Sequence, residues 1–159
     1  MHFRIGNGFD AHKLEKGNGI TLGGIFIPCE YSLIAHSDGD IIAHTICDAL
    51  LGAANLGDIG IHFPSTKKFE NISGKKMIDE VLNKLQEKNY EISNVDITYI
   101  GEVPRLNSFK LEIISSLSNF LKVDEEKISC KATTTDQLGF AGKKEGVACL
   151  TNVLIYKNS

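Results

Sequence analysis

The stretch from Asp40 to Leu56 is almost entirely apolar, carrying Ile41, Ile42, Ile46, Leu50, Leu51 and Leu56 with no internal glycine before Gly52. Its length and continuity favour a buried helix over a strand, so the rest of the chain must wrap around it. The strongly polar positions in this stretch are Asp40, His44, Thr45 and Asp48. Asp40, His44 and Asp48 fall at i, i+4 and i+8, on one stripe. Burying an unpaired charge costs on the order of several kcal/mol. The stripe therefore predicts a metal, a ligand or a mutual network that satisfies it.

The run from Met1 to His12 alternates like a strand: Phe3, Ile5 and Phe9 on odd positions, Arg4, Asp10 and His12 on even ones. Side chains two apart on a strand point the same way. Asp10 and His12 thus emerge together, a carboxylate and an imidazole of the types that bind zinc. His44 is the expected third ligand. Three protein ligands leave one tetrahedral position open, the pattern of a catalytic zinc. Asp48, one turn past His44, is expected to hold the His44 imidazole. The alternative is a hydrogen-bonded core histidine at 44 and a capping role for Asp10.

Elsewhere, Thr21-Leu22, Gly23-Gly24 and Ile25–Pro28 read as strand, bend, strand. Residues 57–64 read as loop. Met77, Val81, Leu82 and Leu85 make a helical stripe within residues 74–89. Val95, Ile97 and Tyr99 lie on one side of a strand over 94–102. Leu111, Ile114, Leu117 and Leu121 phase a second amphipathic helix over 107–121, and 127–134 and 146–157 read as strands. The order β-β-α-α-β-α-β-β predicts one α+β domain over residues 1–159, an α/β sandwich with a mixed sheet covered on one face by helices. The uncovered face predicts a homo-oligomer.

The net charge of −3 gives no reason to expect nucleic-acid or anionic-membrane binding. The chain carries two arginines, Arg4 and Arg105, so Arg105 is one of few bidentate donors for a phosphate. Cys29, Cys47, Cys130 and Cys149 contain no CxxC spacing and read as reduced small hydrophobes of a cytosol-like compartment. The first strand begins at once, so no signal peptide is expected. Lys131, Thr133, Thr134, Thr135 and Asp136 could bind phosphate oxygens and a hard cation; the plain alternative is a β-rich threonine run before a turn. Pro104-Arg105 is a weaker pattern of the same kind.

Asp10-Ala11-His12, His36-Ser37-Asp38-Gly39-Asp40, His44, Asp58-Ile59-Gly60, Phe63-Pro64, Pro104-Arg105 and Ala132-Thr133-Thr134-Thr135, taken in order, resemble the 2-C-methyl-D-erythritol 2,4-cyclodiphosphate synthase family. The resemblance spans essentially the whole chain. It implies a homotrimer with sheets facing the threefold axis and active sites between subunits. It implies that 4-diphosphocytidyl-2-C-methyl-D-erythritol 2-phosphate is converted to the cyclic diphosphate and CMP, in the non-mevalonate route to isoprenoid precursors.

By position, the resemblance makes Asp10, His12 and His44 zinc ligands, one ion per subunit. His36, Ser37, Asp58, Ile59, Gly60 and Phe63 receive the methylerythritol phosphate end. Gly101, Pro104, Arg105 and Leu106 receive the cytidine and its phosphate from an adjacent subunit. Thr133, Thr134, Thr135 and Asp136 receive the diphosphate, with Asp136 holding Mg²⁺ or Mn²⁺. His36, Thr135 and Asp136 are the expected catalytic residues. Phe140, Lys143 and Glu145 fall around the axial cavity, where an isoprenoid diphosphate is a candidate ligand. The chain departs from the family pattern at Ser65 and Lys67, where acids are frequent, at Asp136, often Glu, and at Lys143, commonly Arg. The implied location is a bacterial cytoplasm, or a plastid after removal of a transit peptide. Two rival readings are a zinc hydrolase of phosphate esters or amides, with Asp40 or His36 as base, and an oligomeric binding module with a structural zinc.

Overall fold

A computed structural model describes residues 2–157. Strand β1 (His2–Lys16) is followed by β2 (Gly19–Leu22), β3 (Ile25–Pro28) and β4 (Tyr31–Ile34). Helix α1 (Ile41–Ala53), the one-turn α2 (Ile59–His62) and α3 (Gly74–Glu87) come next. The chain ends with β5 (Glu91–Ile100), α4 (Lys110–Leu121), β6 (Ile128–Thr133), the one-turn α5 (Gly139–Gly142) and β7 (Gly146–Lys157). The main sheet has the order β4-β1-β7-β5-β6. Only β5–β6 is parallel, so the sheet is mixed, as expected. β2 and β3 form a separate hairpin whose two central residues, Gly23 and Gly24, have φ of 58° and 80°. Only glycine adopts that pair of values without cost.

Helix α1 is the centre of the core. Eleven of its thirteen residues are buried, and it lies on β1 and β7, with α3 beside it and α4 against α3 and β6. The close approach of α1 to β1 depends on two glycines. A Cβ at Gly6 would sit 1.9 Å from the Ala49 carbonyl oxygen, and one at Gly8 would sit 2.0 Å from that of Thr45. Both obstacles are backbone and cannot swing away. At the far end of the helix, the Arg4 Nε–H donates to the Ala53 carbonyl, one of the orphan acceptors of the last turn.

The expected α+β class and helix-covered sheet are present, and the differences are local. The odd-numbered apolar residues of β1 do not face the helices. The even face, with Gly6, Gly8, Asp10, His12 and Leu14, packs inward. Phe3, Ile5 and Phe9 are 56%, 81% and 58% exposed on the open face of the sheet. There they stand opposite Tyr156, Leu154 and Leu150 of β7. Alternation fixes two faces but not which one the helices cover. In α4 the buried stripe is Ile113, Leu117 and Leu121, whereas Leu111 is exposed. The helix begins only at Lys110, so Leu111 lies in its outward first turn. The short strand β4 pairs with β1 over Lys13–Lys16, and residues 59–62 form a helical turn inside the expected loop.

Replacing Gly8 by alanine should cost about 3 kcal/mol or more, because the helix backbone must move to admit the methyl. Urea denaturation followed by circular dichroism measures it; a loss below about 1 kcal/mol would mean that α1 is free to shift outward.

Candidate metal centre and ligand cavities

Asp10 and His12 leave the same face of β1 and meet His44 from the second turn of α1. Asp10 Oδ2 lies 3.2 Å from His44 Nδ1, and His12 Nε2 lies 3.1 Å from the same nitrogen. One ligand atom from each residue falls within 4.8 Å of the other two. A tetrahedral zinc with bonds of about 2.0–2.1 Å holds neighbouring ligand atoms about 3.3 Å apart, close to the 3.2 and 3.1 Å from His44 Nδ1 to Asp10 and His12.

The hydrogen bonds admit the tautomers that a metal needs. The His12 Nδ1–H donates to the Ala11 carbonyl at 3.0 Å, which leaves Nε2 with its lone pair. His44 Nε2 lies 2.7 Å from Ser37 Oγ, which also accepts the Gly39 N–H at 3.2 Å. Ser37 can donate to Nε2 when the Nδ1–H donates to Asp10, or accept from the Nε2–H when Nδ1 turns its lone pair to a cation. In the second form the two imidazoles direct lone pairs at one point beside a carboxylate, an arrangement that a cation satisfies. Burial pushes the Asp10 carboxyl up, but the hydrogen bond from His44, the electrostatic pull of the neighbouring His12 and His44 rings and the Ala11 N–H together hold it below the ordinary carboxylate range. An ionised Asp10 is the form a metal binds.

The polar helix stripe resolves differently from the sequence expectation. Asp40 caps α1, accepting from Ala43 N–H at 3.2 Å, and holds the β2–β3 turn through the Gly23 and Gly24 N–H groups at 2.9 and 2.7 Å. Burial pushes its carboxyl up against the lowering pull of those three donors. Fully committed to backbone, Asp40 cannot serve as the base of a hydrolase. Asp48 accepts the Ile59 N–H at 2.8 Å and so anchors the start of α2. It makes no hydrogen bond to His44; Ser37 has the role expected of Asp48. The signal for Ser37 was its place in the His36–Asp40 segment, which the local turn brings back over α1.

Asp10, His12 and His44 line a cavity of about 250 Å³ together with Ala35, His36, Ser37, Ile59, Gly60, Phe63, Ser65, Phe69, Ile72 and Met77. His36 Nε2 donates to the Thr66 carbonyl at 3.3 Å across its rim. Asp58 does not line the cavity; it caps α2 through the Ile61 N–H at 3.1 Å. Phe69, Ile72 and Met77 were not anticipated as cavity residues, and apart from the helical stripe at Met77 nothing in the sequence marks them.

Gly101, Pro104, Arg105, Leu106, Thr133 and Thr134 gather instead around a second cavity, of about 210 Å³, with Glu102, Asn107 and Ala132. The register places the two cavities along one row of the sheet, Asp10 opposite Cys149, Cys149 opposite Tyr99 and Tyr99 opposite Ala132. Three strand spacings make about 14 Å. Cys149 and Tyr99 between them are fully buried, so core fills the gap within one chain. Thr135 lies beside the second cavity, its hydroxyl donating to the Leu138 carbonyl at 2.6 Å. Asp136, Phe140 and Lys143 are exposed beyond it. Among the described residues, no other acid, His or Cys joins Asp136 in a metal-holding cluster. The cysteines are free and Cys47, Cys130 and Cys149 are buried; burial pushes Cys149 up to about 12, which keeps it a neutral thiol. No helix among the described residues is long and apolar enough to cross a membrane.

Fold and site together define an α+β protein with an Asp–His–His metal corner opening on a cavity. Residues 3–156 match the YgbB family. The chain is 46% identical over 153 residues, 96% of each chain, to the 2-C-methyl-D-erythritol 2,4-cyclodiphosphate synthase of Acinetobacter baumannii. It is 44% identical over 158 residues, 99% of each chain, to the protein of that name from Phocaeicola vulgatus. Among solved structures, the bifunctional IspDF of Campylobacter jejuni aligns with a TM-score of 0.95 at 40% identity, over 99% of this chain and 43% of that longer one. IspF of Plasmodium falciparum in complex with CDP aligns with a TM-score of 0.88 at 38% identity, over 98% and 97% of the two chains. The chain belongs to the YgbB family.

Ser37→Ala should weaken zinc retention about 10- to 100-fold, the usual effect of removing the partner of a ligating imidazole. Competition with a chromophoric chelator reads this directly. His44→Ala should leave the protein folded and without zinc by elemental analysis; zinc retained at wild-type stoichiometry would place the ion elsewhere.

Proposed function

We propose that this chain converts 4-diphosphocytidyl-2-C-methyl-D-erythritol 2-phosphate to 2-C-methyl-D-erythritol 2,4-cyclodiphosphate and CMP, in non-mevalonate isoprenoid precursor synthesis. The observation that carries the reading is the Asp10–His12–His44 corner lining a cavity, in a chain whose relatives at 44–46% identity bear that synthase name. The 2-phosphate oxygen attacks the β-phosphorus. A new phosphorus–oxygen bond closes the ring, and the bond from the β-phosphorus to the bridging oxygen breaks, so that CMP leaves with that oxygen. The nucleophile is already anionic at neutral pH, so no side chain has to remove a proton.

Asp10, His12 and His44 hold the zinc. When bound, it supplies positive charge that offsets the repulsion between two phosphates and orients them. His36 and Ser37 face the methylerythritol phosphate end, with Ile59, Gly60 and Phe63 as the apolar wall and Asp58 fixing that wall through its cap. In the metal-binding tautomer the Ser37 oxygen accepts twice, so its own proton is free to donate to a phosphate oxygen. Gly101, Pro104, Arg105 and Leu106 enclose the cytidine, and Thr133, Thr134 and Thr135 donate to the diphosphate. Asp136 would offer one carboxylate to Mg²⁺ or Mn²⁺, hard cations that take oxygen ligands and would supply further positive charge beside the diphosphate. Holding both reacting groups of one folded substrate in line supplies most of the remaining acceleration.

The two cavities are about 14 Å apart with filled core between them, and this supports an assembly in which one subunit's zinc cavity faces its neighbour's cytidine cavity. The open apolar face of the sheet, Phe3, Ile5 and Phe9 beside Leu150 and Leu154, supports the same conclusion. A patch of this kind on a soluble protein marks an interaction surface, and we read the assembly as a homotrimer about that face.

Incubation of the zinc- and magnesium-loaded protein with the substrate should yield CMP and the cyclic diphosphate, resolved by phosphorus NMR. An opened diphosphate or inorganic phosphate would make the chain a hydrolase, and an absence of turnover would make it a binding module. Ile5→Asp should reduce the mass in sedimentation from three copies to one; a trimer that survives this change would move the interface off the open face.

A further inference from the structure

The loop between β5 and α4 carries half of the second cavity, yet it has no secondary structure over residues 101–106. Its fixed points are few. The Gly101 N–H donates to the Thr133 carbonyl at 3.0 Å, extending the β5–β6 ladder by one bond. At the other end Leu106 is buried in the core, and its carbonyl accepts the Phe109 N–H at 2.8 Å. Between these anchors the backbone has one described tie: the Tyr99 hydroxyl donates to the Val103 carbonyl at 2.7 Å.

Tyr99 is fully buried on β5, among the largest core side chains. For packing alone phenylalanine would serve, since a phenol buried without a partner loses its hydration for nothing. The hydroxyl has one hydrogen-bond partner, and that partner is the loop carbonyl beside Pro104. Pinning Val103 fixes the direction of its two neighbours, Glu102 and Pro104, and through Pro104 that of Arg105; all three line the cavity. Glu102 Oε1 has no partner although it is buried, so the loop is held with polar groups unspent.

We propose that Tyr99 is a positioning residue for ligand binding: its hydroxyl holds the 101–106 loop in the shape that receives a cytidine nucleotide, without touching that ligand. The assignment rests on the reading of the second cavity as the cytidine site. It separates two properties of the reaction. Binding at the 101–106 loop depends on the Tyr99 hydroxyl, whereas the zinc corner, on β1 and α1, does not.

Tyr99→Phe deletes one oxygen and keeps the ring. In the zinc-loaded protein, CDP affinity measured by calorimetry should fall about tenfold, the size expected for one buried hydrogen bond. The KM for the diphosphocytidyl substrate should rise by a similar factor while kcat changes less than twofold, and zinc content should stay at the wild-type value. Amide hydrogen exchange of the unliganded protein should quicken within residues 101–106 and nowhere in α1. Unchanged exchange in that loop would overturn the proposal, as would unchanged CDP affinity in a protein whose wild type binds CDP, or a loss confined to kcat. A wild-type protein that does not bind CDP would refute the cytidine reading instead, and the exchange measurement would then decide the role of Tyr99 alone.

Discussion

The metal corner exists because a helix backbone rests directly on a strand. Gly6 and Gly8 remove the side chains that would hold α1 off β1, and the carbonyls of Ala49 and Thr45 occupy the space so freed. His44 immediately precedes Thr45, and Asp10 follows Gly8 at the next inward position. The contact that seats the helix is therefore the one that brings the Nδ1 of His44 to 3.2 Å from Asp10. With alanines in place of those glycines, α1 would have to move off β1, and His44 would move with it. Stability and chemistry share one constraint, and neither can be adjusted alone.

A second point of convergence is the segment His36–Asp40. Its side chains tie together three parts of the fold: Asp40 the start of α1 and the β2–β3 turn, Asp38 the start of α3 through the Gly74 N–H at 2.8 Å, and Ser37 the His44 ring on α1. Most of these bonds join carboxylates to backbone N–H groups, charge-assisted, and those of Asp40 to Gly23 and Ala43 are buried as well, so they are stronger than ordinary surface contacts. Such a hub explains how so short a polar stretch can precede so apolar a helix. The charges at its entrance are spent on architecture, which leaves His44 as the buried polar group of the stripe that turns to a ligand.

Much of this was legible in the sequence. The buried helix, expected over 40–56 and found at Ile41–Ala53, the Asp10–His12 pair on one strand face and His44 at the right helical phase all followed from period and residue type. What escaped was what period cannot carry. Alternation in β1 separated Phe3, Ile5 and Phe9 from Asp10 and His12, but the glycines that decide which face meets the helix carry no hydrophobic signal. Spacing put Asp48 on the His44 stripe, whereas the donor its carboxylate meets is the Ile59 N–H of a turn that reads as loop. Leu111 was in phase with Leu117 and Leu121, yet it precedes the turn at which α4 meets the sheet. Phe69 and Ile72 line the metal cavity from a segment with no periodicity. The four-residue β4 was too short to show an alternation of its own.

The separation of the two cavities has a genetic side. In an assembly that sets one chain's metal corner against its neighbour's nucleotide loop, a complete reaction centre belongs to no single polypeptide. A chain damaged at His44 still lends an intact Arg105 to the subunit beside it, and a chain damaged at Arg105 still lends its histidines. In the homotrimer proposed above, two differently damaged copies mixed in one ring would therefore rebuild a working centre at the junction where their sound halves meet.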